Sequence, residues 1–208
     1  MSTTPRNWSR GSRVSQRTYL KIPHERVGVL IGPGGKIKRR LEATFQVNIA
    51  VDSETGNVEI APQETQGDVS VVLTVRNIVQ AIGRGFSPKR ALVLLNEDTD
   101  ILVLDLADYV GDSRSNQERI RGRVIGKEGK SRSLLEELTE CQVSVYGATV
   151  ALIGSYEMLP IAREAVEMLL NGAFHKTVWN HLYAVRRKLK KDRGELWYEP
   201  RRVRKREP

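Results

Sequence analysis

The chain has 208 residues, 39% of them hydrophobic, with 34 Lys and Arg against 25 Asp and Glu, a formal net charge of +9 and a pI near 9.8. That length is enough for one large or two small domains, each with a modest core, and the lone cysteine, Cys141, excludes an internal disulfide framework and gives no support to a zinc knuckle. The polar, basic start has no signal-peptide core and no later run reaches the roughly 18 apolar residues that span a bilayer, so the expectation is a soluble, cytoplasmic protein with a polyanionic partner.

Charge is distributed in blocks. The net charge is +9 over residues 1–40, −8 over 41–113, +5 over 114–132, −4 over 133–185 and +7 over 186–208. Two of the basic blocks hold a repeat: Val29-Leu30-Ile31-Gly32-Pro33-Gly34-Gly35-Lys36 returns as Arg123-Val124-Ile125-Gly126-Lys127-Glu128-Gly129-Lys130, offset by 94 positions. An offset that long is far beyond a solenoid unit and indicates a duplicated domain.

Residues 1–13 read as a basic arm, and the first copy runs over 14–86. Residues 18–22 alternate as a short strand. Pro23 then suits the first turn of a helix with Val27, Leu30 and Ile31 on one face, which stops at glycine. After Gly35, the four-residue spacing of Ile37, Leu41 and Phe45 predicts a second helix that holds Lys38, Arg39 and Arg40 mostly off its buried face. Strands over 47–51 and 58–61 flank the turn-forming Ser53-Glu54-Thr55-Gly56, and a longer helix follows with Val71, Val75, Ile78, Val79 and Ile82 inward.

Residues 87–97 are expected to form a short linking helix, started by Ser87-Pro88 and carrying an Ala91, Leu92 and Leu95 stripe. The second copy, over 98–175, repeats the order. A strand at 101–106 leads to a helix near 116–125 with Ile120 and Val124 inward, then Gly126 to Gly129, then a helix with Leu134, Leu135 and Leu138 inward. Strands over 142–146 and 149–153 join across Gly147-Ala148, and a last helix near 157–170 buries Ala162, Ala165, Val166 and Leu169. A basic C-terminal helix is expected over 176–191 and an aperiodic basic tail over 192–208.

Each copy, in the order β-α-GxxG-α-β-β-α, resembles a type I KH domain, and Val124-Ile125-Gly126-Lys127-Glu128-Gly129-Lys130 is similar to that family's VIGxxGK signature. The resemblance implies an α+β fold of two tandem type I KH domains. Each would be a three-stranded sheet with helices packed on one face, followed by the C-terminal helix. It also implies that each unit clamps about four nucleotides of single strand.

The chemistry fits the residue types. Backbone N–H groups at the start of a helix, with their partial positive charge, favour phosphate, and glycine lets the sugar-phosphate chain approach without a Cβ in the way. The candidate RNA-binding residues are Gly32, Pro33, Gly34, Gly35, Lys36, Lys38, Arg39 and Arg40 in the first copy. In the second they are Arg121, Arg123, Gly126, Lys127, Glu128, Gly129, Lys130 and Arg132. Pro33 removes one N–H donor from the first loop, and Glu128 sets an acid beside phosphate in the second, partly offset by Lys127.

Other chemistry finds less support. Gly129-Lys130-Ser131 ends like a Walker A loop, but Val124 stands where its first glycine belongs. Asp98, Asp100, Asp105, Asp108 and Asp112 lack the ordered spacing of a metal loop, and His24, His175 and His181 are too scattered to make a triad with Cys141. No catalytic residue, metal or cofactor is expected.

The stretch Gly172-Ala173-Phe174-His175-Lys176-Thr177-Val178, followed by a basic helix through Arg186-Arg187-Lys188-Leu189-Lys190, resembles the archaeal members of the "partner of Nob" family of ribosome-assembly factors. That resemblance implies a non-catalytic protein that binds the 3′ region of small-subunit ribosomal RNA during maturation. Its partners would be the trimming endonuclease and other assembly or initiation factors. The alternatives are an adaptor in RNA decay, which usually joins KH to an S1-type barrel not visible here, and a metal-dependent nuclease using the aspartates.

Overall fold

The computed structural model describes residues 17–63 and 69–196, so the expected arm over 1–13 and the tail beyond 196 lie outside the described residues. The chain divides into two compact units between Gly83 and Arg84.

The first unit comprises β1 (Thr18–Lys21), α1 (His24–Ile31), α2 (Lys36–Phe45), β2 (Val47–Val51), β3 (Asn57–Pro62) and α3 (Val69–Gly83). Its antiparallel sheet has the order β1-β3-β2, with Ile60 facing both Thr18 and Ile49 across the strands. Alternation places Val47, Ile49, Val58 and Ile60 on the face that the helices cover, and leaves Asn48 and Ala50 exposed on the other. In α3 it is Val72, not Val71, that joins Val75, Ile78, Val79 and Ile82 in the core. The run Val69-Ser70-Val71-Val72-Leu73 is apolar on several faces, so its period cannot fix the phase.

The second unit opens with α4 (Pro88–Ala91) and a 3-10 turn over Leu92–Leu95. Then come β4 (Thr99–Asp105), α5 (Ala107–Val110), α6 (Arg114–Ile125), α7 (Lys130–Thr139), β5 (Gln142–Tyr146), β6 (Thr149–Ser155), α8 (Leu159–Leu170) and α9 (His175–Leu196). The sheet order β4-β6-β5 repeats the first. Two elements depart from the sequence expectation. α5 is an added turn whose start is capped by Asp105, its Oδ1 accepting from the Ala107 N–H at 3.0 Å, and α9 continues through residues expected to be tail.

The expected link over 87–97 is part of the second unit. Ser87 caps α4 as the sequence signals, its Oγ accepting from the Arg90 N–H at 3.3 Å. Phe86, Ala91 and Leu94 are buried, and the segment lies against the sheet face opposite the helices: Ser144 donates to the Arg84 carbonyl, Arg90 to the Gln142 side chain and Thr99 to the Val93 carbonyl. This cover explains β6. Val150 and Leu152 face the helices while Ala151 and Ile153 face the segment, and all four are buried. A strand covered on both faces reads as a continuous apolar run, as Val150-Ala151-Leu152-Ile153 does.

The duplication extends to backbone detail. Helices α2 and α7 each end on a left-handed residue, Gln46 with φ 52° and Glu140 with φ 55°. An arginine from α1 or α6 fastens the C-terminus of α3 or α8: Arg26 donates to the Ile82 carbonyl, and Arg123 to those of Leu169 and of Ala173 just past α8. Each unit also closes the open sheet edge with a glutamate, Glu42 accepting from the Ile49 N–H at 2.9 Å and Glu136 from the Val143 N–H at 2.7 Å. An unpaired edge amide invites foreign strands, and these carboxylates occupy one in each sheet. Cys141 is buried beside Gly154, and burial pushes its thiol up to about 11.

Glu136 also pairs with Arg90, tying the covering segment to α7 and β5. Glu136→Ala should therefore lower stability to chemical denaturation by about 1–2 kcal/mol, because it leaves the Val143 amide without its acceptor and removes the Arg90 ion pair. The exposed neighbour Glu137→Ala should change it by less than about 0.5 kcal/mol.

Candidate nucleic-acid interface

The two glycine loops are the same structure built from different residues. Gly32 (φ 71°, ψ 174°) matches Gly126 (72°, 176°), Gly34 (56°, 27°) matches Glu128 (55°, 27°), and Gly35 (75°, 13°) matches Gly129 (76°, 8°). In each, the first glycine ends a helix, its N–H donating to Gly28 or Gly122, and its carbonyl accepts from the fourth residue, Gly35 at 3.0 Å or Gly129 at 3.2 Å. Pro33 sits in the first turn of the short 3-10 segment, where its ring suits the backbone.

The first glycine is fixed by crowding as well as by φ. A Cβ at Gly32 would lie 2.6 Å from the Ile37 side chain, and one at Gly126 would lie 2.5 Å from the Ser131 Cβ. The helices α1 and α2, and α6 and α7, approach this closely only because no side chain intervenes. Gly34 has open space around it, so its requirement is conformational alone, and Glu128 meets the same demand at some cost in strain.

What the loops present is backbone. Pro33, Gly34, Lys127 and Glu128 are exposed, and neither α2 nor α7 receives a side-chain cap at its N-terminus. The positive ends of two helices thus face outward at the glycines, an arrangement suited to phosphate oxygens. Half-buried apolar side chains flank them, Ile31 and Ile37 in the first unit and Ile125 in the second, where Ser131 stands at the position of Ile37.

The expected cations divide by what already holds them. Lys36, Arg40 and Lys127 are exposed and form no ion pair with a described residue. Lys130 lies 3.6 Å from Glu128, both largely exposed, so Lys130 and not Lys127 offsets that acid in the loop. Arg39 folds back onto the carbonyls of Gly34 and Gly35, and Lys38 pairs with Glu42 at 3.4 Å. Arg121 reaches the Gly147 carbonyl in the β5–β6 turn at 3.1 Å. Arg123 donates to the Leu169 and Ala173 carbonyls at and just past the end of α8. Arg132 is half-buried, with its Nε unpaired among the described residues.

Sequence reasoning missed the edge glutamates, since an acid on an amphipathic helix reads as solvent-facing. Their only signal is the repeat itself, which puts Glu42 and Glu136 at the same 94-residue offset as the glycines. The aspartates are spread over turns, strand β4 and helix α5, and among the described residues no three His, Cys, Asp or Glu converge as a metal site.

Residues 17–79 match the KH domain family model, and residues 101–187 match the model for the second KH domain of PNO1, described as a eukaryotic type KH-domain (KH-domain type I). The chain is 48% identical to KH domain-containing protein MJ0443 of Methanocaldococcus jannaschii over 86% of its own length and 78% of that protein's. It is 25% identical to the pre-rRNA-processing protein PNO1 of Candida albicans over 82% of its length, and spans 62% of that longer relative. Among solved structures, that of an a/eIF2alpha-aDim2p-rRNA complex from Pyrococcus horikoshii OT3 matches with a TM-score of 0.77 and 42% identity, over 83% of this chain and 94% of that one.

The loop geometry separates two costs that stability measurements can resolve. Gly34→Ala, with space for its methyl but a left-handed backbone, should destabilise the protein by about 1 kcal/mol. Gly32→Ala, which adds the collision with Ile37, should cost about 2–3 kcal/mol in the same urea titration.

Proposed function

We propose, from the premise that this chain belongs to the family of tandem KH-domain proteins that includes MJ0443 and the Dim2p and PNO1 proteins, that it is a non-catalytic RNA-binding factor in maturation of the small ribosomal subunit. It acts in the cytoplasm on the unpaired 3′ region of small-subunit rRNA, beside the endonuclease that trims it. The observation that carries this reading is the pair of loops with one backbone conformation, each exposing an uncapped helix N-terminus beside half-buried apolar side chains.

In this reading the N–H groups at the starts of α2 and α7 take the phosphates, with Lys36, Arg40, Lys127 and Lys130 supplying long-range attraction. Bases of the same strand lie on the apolar flank of each loop, which needs them unstacked, so a duplex is a poor ligand. Lys38, Arg39, Arg121 and Arg132 shape the loop surroundings more than they contact RNA, and Arg123 holds α8 in place. The aDim2p relative is described in complex with rRNA and a/eIF2alpha, which makes an initiation-factor subunit the first protein partner to test.

Glu128 demonstrates that the middle of the loop accepts a side chain without loss of its conformation, so aspartates placed there leave the fold intact. Pro33→Asp with Gly34→Asp, and separately Lys127→Asp with Glu128→Asp, should each lower affinity for single-stranded RNA about tenfold, by bringing negative charge against phosphate. All four together should lower it about a hundredfold, measured by fluorescence anisotropy on a strand carrying the rRNA 3′ sequence. Unchanged affinity in the quadruple variant, or equal affinity of the unmodified protein for a perfect duplex, would remove this reading.

A further inference from the structure

α9 buries one face and leaves the opposite one charged. Val178 and Leu182 are fully buried and Leu189 packs against the same core, while Lys176, Asn180, Tyr183, Arg187 and Lys190 follow one another at helical spacing on the outer side. Between residues 175 and 191 the sequence has six Lys and Arg and no Asp or Glu. Arg186, Arg187 and Lys190 form no ion pair with a described residue, and together with Asn180 and Tyr183 they line a shallow depression.

A face that only meets water would gain from mixing charge, since opposite charges four residues apart support a helix and like charges oppose it. Here Arg186 and Lys190 are such a like-charged pair, with Arg187 and Lys188 between them. The repulsion is relieved by a polyanion. Tyr183 stands 47% exposed among these cations, and Phe174, whose carbonyl accepts the Thr177 and Val178 amides that open α9, is 82% exposed. Planar aromatics interleaved with cations suit nucleobases and phosphates in one ligand. Insertion into a membrane surface would need the apolar face of α9, which the core already uses.

Position links this face to the second glycine loop. His175 at the start of α9 is hydrogen-bonded to the Arg123 carbonyl at 2.9 Å, and Arg123 in turn holds the Ala173 carbonyl, so α9 is fastened to the turn of α6 that runs into Gly126. α9 also packs on α7, the helix that starts at that loop. We propose that the outer face of α9, through Asn180, Tyr183, Arg186, Arg187 and Lys190 with Phe174 at its start, is a further RNA-contact surface that takes the stretch of RNA continuing past the second loop. The proposal rests on the RNA-binding reading of that loop.

The test uses the full chain and three RNA probes: a strand of about eight nucleotides; the same strand extended to about twice that length; and the same strand extended by a hairpin stem. R186Q/R187Q/K190Q should weaken binding of an extended probe about tenfold at low salt while leaving the short strand within about twofold. For the longer single strand, the slope of log affinity against log salt should fall by about two, the share of three phosphate contacts. Tyr183→Ala should weaken that probe about fivefold and Tyr183→Phe should restore it, which separates stacking from charge. The probe that loses affinity identifies whether the continuing RNA is single-stranded or paired.

Equal binding of both extended probes by the triple variant and the unmodified protein would overturn the proposal and return the face to an acidic protein or to solvent. Failure of the loop reading looks different. In that case the aspartate variants of both loops bind the short strand as the unmodified protein does, and this inference falls with them.

Discussion

The contact on which the rest depends is the approach of two helices across a glycine that has no Cβ. At Gly32 and Gly126 a side chain would collide with residues 37 and 131, and the backbone there and three residues later is left-handed. These two facts turn the chain so that the second helix starts at the surface, with its positive end uncovered. Were the junction relaxed by a longer loop, the amides would scatter and the proposed anion site would be lost, although the cores of the two units need not change.

Around that junction the fold serves to hold one helix pair against one sheet edge. The arginine clasp on α3 or α8 and the glutamate on the edge strand do this in both units, from positions the sequence does not distinguish from solvent-facing charge. Charged side chains here divide into those that build the scaffold and those left for a ligand. Arg123 and Arg39 are bonded to backbone carbonyls, whereas Lys36, Arg40 and Lys127 form no ion pair with a described residue, and only the partners tell them apart. The charge of a loop region in sequence therefore overstates the charge available to RNA.

Much of this was legible from residue order. The glycine repeat, the spacing of Leu41 and Leu135, and the turn at Gly147-Ala148 were enough for two α-β units in matching order and for the exposed loops. Less legible was the cover over the second sheet. Val150 to Ile153 is continuous where a half-buried strand would alternate, and Phe86, Ala91 and Leu94 are the residues that answer it, but a short helix between two domains reads more simply as a link. The phase of α3 was blurred by a run of valines, and the length of α9 by a charged sequence without apolar period past Leu189. Roles that depend on a partner distant in sequence, such as Glu136 with Arg90 and Val143, leave no local pattern at all.

The central claim is that phosphate is held by backbone at both glycine loops. Amide chemical shifts measured by heteronuclear NMR during titration with single-stranded RNA test it directly. The account predicts the largest changes at Gly34, Ile37 and Lys38 and at Glu128, Ser131 and Arg132, since the amides between them, Gly35, Lys36, Gly129 and Lys130, already donate to carbonyls within the loops. Saturation by RNA with those six amides unmoved, and with changes confined to other surfaces, would contradict it.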